Sequence, residues 1–225
     1  ERKAFGKAIA EFGLIQEKLA ESAAGIYAGE AMVYRTIGMI DAALADVDTK
    51  ADAKAENASR EIQKRIEEYA VECSILKVWA SEMLDMVVDH VLQIFAGYGY
   101  VEEYPAERAY RDSRINRIFE GTNEINRLII TGWLMKRAVA GHLPLLPAIQ
   151  KLMDEVMAGP SAAEEREGPL SAGHHLLANA RKLTLFAAGA ASQKYMMGLS
   201  DQQEVMGALA DCIMEVFALE SCILR

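Results

Sequence analysis

The sequence predicts an all-α protein: an antiparallel four-helix bundle over residues 1–140, followed by a second helical region over residues 141–225. Residues 11–46 and 55–96 are two long stretches whose apolar side chains recur three, four or seven apart, the spacing of one helix face. Glycine and proline breaks separate such stretches, at Gly97 and Gly99 and again in Gly141-His142-Leu143-Pro144. The chain has 225 residues and is 52% hydrophobic, enough for a substantial core in one or two domains.

In chain order, residues 1–10 form a short approach containing Gly6. The first long helix carries Ile15, Leu19, Ile26, Val33, Ile37, Ile40 and Leu44 as its apolar face, and Ala23, Ala24, Gly25, Ala28 and Gly29 narrow it so that a neighbour can approach. Asp46 to Asp52 breaks the pattern as a charged, exposed connection. The second long helix, read as continuous over 55–96, keeps Ile62, Ile66, Tyr69, Cys73, Leu76, Ala80, Met83, Val87 and Val91 on one side, which suggests nearly antiparallel packing on the first. Glu61 and Arg65, four apart, can pair on its solvent face. A short helix follows Pro105, a residue suited to a first turn. The next helix spans 121–139, with Ile125, Leu128, Ile129, Trp133 and Leu134 as its buried side. Beyond the break at 141–144, Leu145 to Met157, Leu176 to Met197 and Val205 to Leu224 read as three more helices, with an acidic linker from Gly159-Pro160 to Gly168-Pro169. The methionines there read as core filler.

Composition excludes several classes. A net charge of -9 argues against a nucleic-acid binder. No apolar run reaches the length of a membrane span. Cys73, Cys212 and Cys222 show no paired spacing and read as buried free thiols in a reducing compartment. His90, His142, His174 and His175 have no acidic or cysteine partners at ligand spacing, so no metal site is expected.

The stretch most able to carry chemistry is Arg111 to Ile130, centred on Phe119-Glu120-Gly121-Thr122-Asn123-Glu124. Gly121 permits a tight turn or the close approach of a ligand. Thr122 followed by Glu124-Ile125 looks like a helix start, with orphan N–H groups beside Glu120. A carboxylate next to a turn and a helix N-terminus has the parts of a base beside a polarising site. The same hexapeptide also reads as an ordinary helix end. Arg108, Arg111, Arg114 and Arg117 form either a cationic strip for a phosphate-bearing ligand or a solvated face paired with Glu102, Glu103, Glu107 and Asp112.

Phe119-Glu120-Gly121-Thr122-Asn123-Glu124-Ile125 resembles the signature of the acyl-CoA dehydrogenases. Three further segments resemble family motifs in family order: Glu1-Arg2-Lys3-Ala4-Phe5-Gly6-Lys7, Gln93-Ile94-Phe95-Ala96-Gly97-Tyr98-Gly99-Tyr100, and Glu103-Tyr104-Pro105 with Arg111-Asp112. Together they cover about the first 140 residues. The resemblance implies the C-terminal helical bundle of that family. The helical extension is similar to the very-long-chain branch, whose members are typically dimers and in some cases touch membranes; no basic amphipathic helix supports a membrane contact here.

The resemblance further implies FAD as cofactor, a fatty acyl-CoA as substrate, electron-transfer flavoprotein as acceptor and a homodimer, in the bacterial cytoplasm or the mitochondrial matrix. Glu120 would remove the substrate's α-proton while a hydride leaves the β-carbon, giving a trans-2-enoyl-CoA as in β-oxidation. Gly121 would lie against the substrate. Arg2, Phe5, Gln93 and Gly97 would serve the flavin of the neighbouring subunit, while Thr122 and Glu124 match flavin-contacting positions. Some residues depart from the family pattern: Ala4 lacks a polar side chain, Ala96 leaves less room than glycine, and Glu124 replaces a glutamine that can donate. The base needs an apolar, dry setting to raise its basicity, which Phe119 and the surrounding bundle would supply. The chain enters and leaves in mid-pattern and reads as part of a longer protein, inactive and weak in flavin affinity by itself. The competing reading is a non-catalytic helical binding or assembly protein that kept the fold.

Overall fold

The computed structural model describes residues 2–47, 55–159 and 168–225. Eight α-helices lie among them: α1 (Gly13–Leu44), α2 (Ala55–Glu67), α3 (Ala70–Phe95), α4 (Pro105–Arg114), α5 (Asn123–Val139), α6 (Leu145–Ala158), α7 (Ser171–Tyr195) and α8 (Gln203–Leu224). The N-terminal approach is a small hairpin of β1 (Lys3–Ala4) and β2 (Lys7–Ala8), paired antiparallel. Phe5 and Gly6 turn it, with φ of 49° and 82°, the positive values a two-residue hairpin loop favours.

The all-α expectation holds, and cross-helix bonds show the antiparallel arrangement. Ser22 of α1 meets His90 of α3 at 3.4 Å, while the Tyr69 hydroxyl, just before α3, reaches the Met39 carbonyl near the other end of α1. In the same way Arg35 bonds Ser221 and Glu220 of α8, and Arg225 bonds Glu30 of α1. Met32, Val71, Ile75, Val78, Ile130, Ala210, Met214 and Ala218 form one core from α1, α3, α5 and α8. This core lies on both sides of residue 140. A second cluster, Ala191, Leu199, Met206 and Leu209, joins α7 and α8 to Leu128 and Met135 of α5.

The narrow stretch of α1 works as its small residues suggest. A Cβ added at Gly25 would lie 3.0 Å from Met83 Cγ, and one at Gly29 would lie 3.2 Å from Met83 Cε. The expected single helix over 55–96 is instead broken at Glu68 and Tyr69. Side chains around the break hold α2 against the end of α1: Arg65 bonds the Ala43 carbonyl at 2.6 Å and pairs with Asp46 and, as expected, with Glu61. Arg137 bonds the Glu68 carbonyl. These contacts use backbone oxygens left over at helix ends. The part of the charged connection at 48–52 and most of the acidic linker fall outside the described residues.

The expected faces are met in part: Leu76, Leu128 and Leu134 pack against the cores, but the most buried positions lie beside them. In α3 the buried positions are Val71, Ser74, Ile75, Val78, Ser81, Val88 and His90, while Cys73 and Val91 are exposed. In α5 Asn123, Asn126, Ile130 and Thr131 are buried, and Ile125 and Trp133 are exposed. Leu19, Ile26 and Ile37 of α1 likewise face outward. The expectation of buried thiols is corrected too: Cys73 is exposed, and Cys212 and Cys222 are half-buried. No described helix is long and apolar enough to cross a membrane.

Helices α3 and α7 end alike. Ala96 (φ 52°, ψ −136°) and Met196 (φ 49°, ψ −124°) both turn the chain into a short 3-10 segment.

Candidate active site

The turn that joins α4 to α5 carries Glu120. Pro105 starts α4, a 3-10 turn (Ile115–Arg117) continues it, and Thr122 caps α5 by accepting from the Ile125 N–H at 3.4 Å. Between them Glu120 and Gly121 both take positive φ, 57° and 81°. For glycine that conformation is easy; for glutamate it is strained, the kind of outlier that clusters at functional positions. The Glu120 side chain is exposed, and among the described residues neither its carboxylate nor its N–H has a hydrogen-bond partner.

The backbone beside Glu120 is firmly held. The Gly121 carbonyl accepts from Lys77 Nζ at 2.6 Å and from Asn126 Nδ2 at 2.9 Å. Asn126 also bonds the Thr122 carbonyl at 3.1 Å. Upstream, Arg117 pairs with Asp85 at 2.6 Å. Both Lys77 and Asp85 belong to α3, so the turn is anchored to that helix on either side of Glu120.

Behind the turn lies a buried polar network that sequence patterning missed. Asn123 is 2% exposed. Its amide donates to Ser81 Oγ and Glu82 Oε1, both at 3.0 Å, and its oxygen accepts from Lys77 at 2.7 Å. Glu82 grips Arg127 through two bonds of 2.7 and 2.8 Å, and Arg127 continues to Asp211 of α8 at 2.7 Å. Burial alone would raise the Glu82 carboxyl, but the bonds from Arg127 and Asn123 hold it below the ordinary carboxylate range. Burial pushes the Lys77 ammonium downward, against the pull of Glu124 and Glu82. The Glu124 carboxyl is lowered by its own backbone N–H and by the Thr122 hydroxyl. The available signal was Lys77, Ser81 and Asp85: polar residues four apart on one face of an otherwise apolar helix.

Arg2, Gln93 and Gly97 lie at the C-terminal end of α3. Arg2 donates to the Phe95 carbonyl at 3.0 Å and lines an open groove of about 630 Å³ with Gly97, Tyr98, Val101, Glu103 and Tyr104. Gln93 is exposed in the last turn of α3. A Cβ added at Gly97 would meet nothing within 4 Å, so a ligand can approach its backbone. Phe5 is 97% exposed, with its ring edge-on to Phe12 at 6.3 Å. Along α3 the turn is anchored at Lys77 and Asp85, while Gln93 lies in the last turn, about 12–24 Å further on at helical rise. The structure therefore places Glu120, Gly121, Thr122 and Glu124 in one site and Arg2, Gln93 and Gly97 in another.

Two further expectations are refined. Phe119 and Ile118 precede Glu120 and Ile125 lies beside Gly121, but each is about half exposed and Glu120 itself is exposed, so this chain does not enclose the carboxylate. Of the arginine strip, Arg108 makes a loose pair with Asp112 at 3.7 Å and Arg117 pairs with Asp85, while Arg111 and Arg114 are exposed.

A family model described as "Acyl-CoA dehydrogenase, C-terminal domain" matches residues 1–135. The chain belongs to the acyl-CoA dehydrogenase family. A second model of the same description matches residues 179–225. A probable acyl-CoA dehydrogenase of Bacillus subtilis (strain 168) is 46% identical over all of this chain, which spans 37% of that protein's length. The crystal structure of an acyl-CoA dehydrogenase complexed with FAD from Bacillus anthracis superposes with a TM-score of 0.92 at 46% identity, covering 100% of this chain and 37% of that one. The mitochondrial very long-chain specific acyl-CoA dehydrogenase of Bos taurus is 37% identical over 129 residues, 57% of this chain and 16% of its own length. These matches agree with the acyl-CoA dehydrogenase fold expected from the sequence.

Proposed function

We propose that this chain is the C-terminal helical part of an FAD-dependent acyl-CoA dehydrogenase that oxidises a fatty acyl-CoA to the trans-2-enoyl-CoA, with Glu120 as the base that takes the α-proton. The observation that carries the reading is the Glu120–Gly121 turn: a strained, positive-φ glutamate whose carboxylate has no hydrogen-bond partner among the described residues, on a backbone pinned to α3 and α5. Such a carboxylate is free to accept a proton from a bound ligand rather than to hold the fold together.

The chain's own residues divide the work. Glu120 removes the proton, and its N–H, which has no partner among the described residues, is free to donate to the thioester carbonyl as negative charge develops there. Gly121 allows the tight turn that presents Glu120 to the substrate, a Cβ there lying 3.1 Å from Asn126 Nδ2. Bound FAD supplies the hydride acceptor for the β-carbon. Arg2 suits the flavin pyrophosphate, since among the described residues one of its N–H groups is engaged, by the Phe95 carbonyl, and it lines a groove next to the open face of Gly97. Phe5, in the hairpin after Arg2, and Gln93, in the last turn of α3, are assigned to the same half-site, and Thr122 and Glu124 to the other. The two groups lie about 12–24 Å apart along α3, and a homodimer in which each flavin is shared between two copies would bring them to one cofactor. Electron-transfer flavoprotein is the proposed acceptor. The helices beyond residue 140 support a long acyl chain. By itself the chain holds only part of the site and is expected to bind little flavin.

The test uses the full-length protein, purified with its flavin. Saturated acyl-CoAs of increasing length are added without oxygen, and bleaching of the visible flavin band is followed. Bleaching that favours long chains supports the whole reading, and bleaching that favours short chains removes the long-chain part. Bound flavin that no acyl-CoA bleaches would favour the non-catalytic binding or assembly protein instead.

A further inference from the structure

We propose that Lys77 is a positioning residue for this chemistry: by holding the Gly121 carbonyl, it keeps Glu120 in its left-handed conformation with the carboxylate aimed at the substrate. The inference rests on the reading of Glu120 as the base.

Four observations meet at this point. Glu120 has φ of 57°, which a glutamate does not keep without restraint. Relaxation to negative φ would redirect its side chain and the peptide that follows. The next carbonyl, that of Gly121, is gripped from two helices, by Lys77 of α3 at 2.6 Å and Asn126 of α5 at 2.9 Å. Lys77 is itself fixed, because its ammonium also donates at 2.7 Å to Asn123, a fully enclosed side chain tied to Ser81 and Glu82. Finally, the Arg117–Asp85 pair fixes the chain three residues before Glu120 to the same helix. Glu120 is thus the unsupported middle of a segment whose two flanks are fastened to α3. Among the described residues Lys77 bonds the Gly121 carbonyl and Asn123 but not the Glu120 carboxylate, so its effect passes through the backbone.

A charged donor is well suited to this task. An ammonium bonds a carbonyl more strongly than a neutral amide does, and it has three donors for the two acceptors it meets. Asn126 alone leaves the Gly121 carbonyl held from α5 only.

The experiment compares the full-length flavoprotein with Lys77→Met, Lys77→Arg and Glu120→Gln variants. It reads flavin content, the bleaching rate constant at saturating acyl-CoA, the apparent affinity for that acyl-CoA, and backbone amide exchange across 119–123. For Lys77→Met the expected result is normal flavin content and affinity, bleaching slowed about 10- to 100-fold as for a misaligned reacting group, and faster exchange at 120–122. Lys77→Arg restores most of the rate because it keeps charged donors. Bleaching by Lys77→Met within about twofold of wild type, or a loss of affinity at an unchanged rate constant, overturns the proposal. Should Lys77→Met fail to fold with flavin, Asn126→Ala is judged by the same criteria. If wild type and Glu120→Gln bleach alike, the base assignment falls by itself; the clamp is then decided by exchange, and unchanged exchange in Lys77→Met refutes it.

Discussion

Replacing Arg127 with leucine tests the network behind the turn. The Arg127 side chain is 19% exposed and links Glu82 (33% exposed) to Asp211 (53% exposed). Removing one partner of a buried ion pair costs about 3–5 kcal/mol, because the remaining charge stays uncompensated. Here the cost is smaller: water reaches part of Glu82, Asn123 still donates to it at 3.0 Å, and Arg117 lies close enough to favour its charge. We expect a loss of about 2 kcal/mol, roughly 30-fold in the folded-to-unfolded ratio and about 4–8 °C in Tm for a chain of this size. Urea unfolding of the chain, followed by far-UV ellipticity, measures it. Adding Glu82→Gln to Arg127→Leu removes the stranded charge and returns about 1 kcal/mol. A change below about 0.5 kcal/mol for Arg127→Leu, or a double variant no more stable than the single one, would refute the reasoning.

Two further outcomes follow from the same structure. The Glu82 carboxyl is held below its ordinary value of 4.5, so the folded state binds its proton less readily than the unfolded state. Its stabilising effect is complete above that value and drains away as pH falls below it, so Glu82→Gln shows a flatter loss of unfolding free energy between about pH 5 and 3 than wild type. At the end of α3, a Cβ on Gly99 would lie 2.4 Å from the Leu92 carbonyl oxygen. Gly99→Ala is therefore expected to lower stability by about 1–3 kcal/mol, read as a fall in Tm.

Helix existence was legible because punctuation and periodicity agree: Pro105 opens α4, Thr122 caps α5, and the 3-10 turn at Ala96–Gly99 ends α3 where the glycines stand. The facing of the helices was less so. Helix α3 has apolar residues around most of its circumference, so period alone does not decide which stripe is inside. The buried stripe includes Ser74 and Ser81, and Ser81 settles its hydroxyl on the Val78 carbonyl at 3.0 Å. The break at Glu68–Tyr69 was hidden because it depends on Arg65, Tyr69 and Arg137 reaching other helices, contacts that no local window contains. At the candidate site the residue types were visible, and the turn was suggested by Gly121. That Glu120 shares the positive φ, and that Lys77 holds the following carbonyl from 44 residues away, required the tertiary structure.

The central claim is that Glu120 takes the α-proton of a fatty acyl-CoA. The most direct measurement is anaerobic bleaching of the flavin in the full-length protein by an acyl-CoA, wild type beside Glu120→Gln, at equal flavin content. Wild type is expected to bleach rapidly and the variant at a rate lower by about 10²-fold or more, the scale of losing a general base. Equal bleaching by both would place the base elsewhere and contradict the role assigned to this turn.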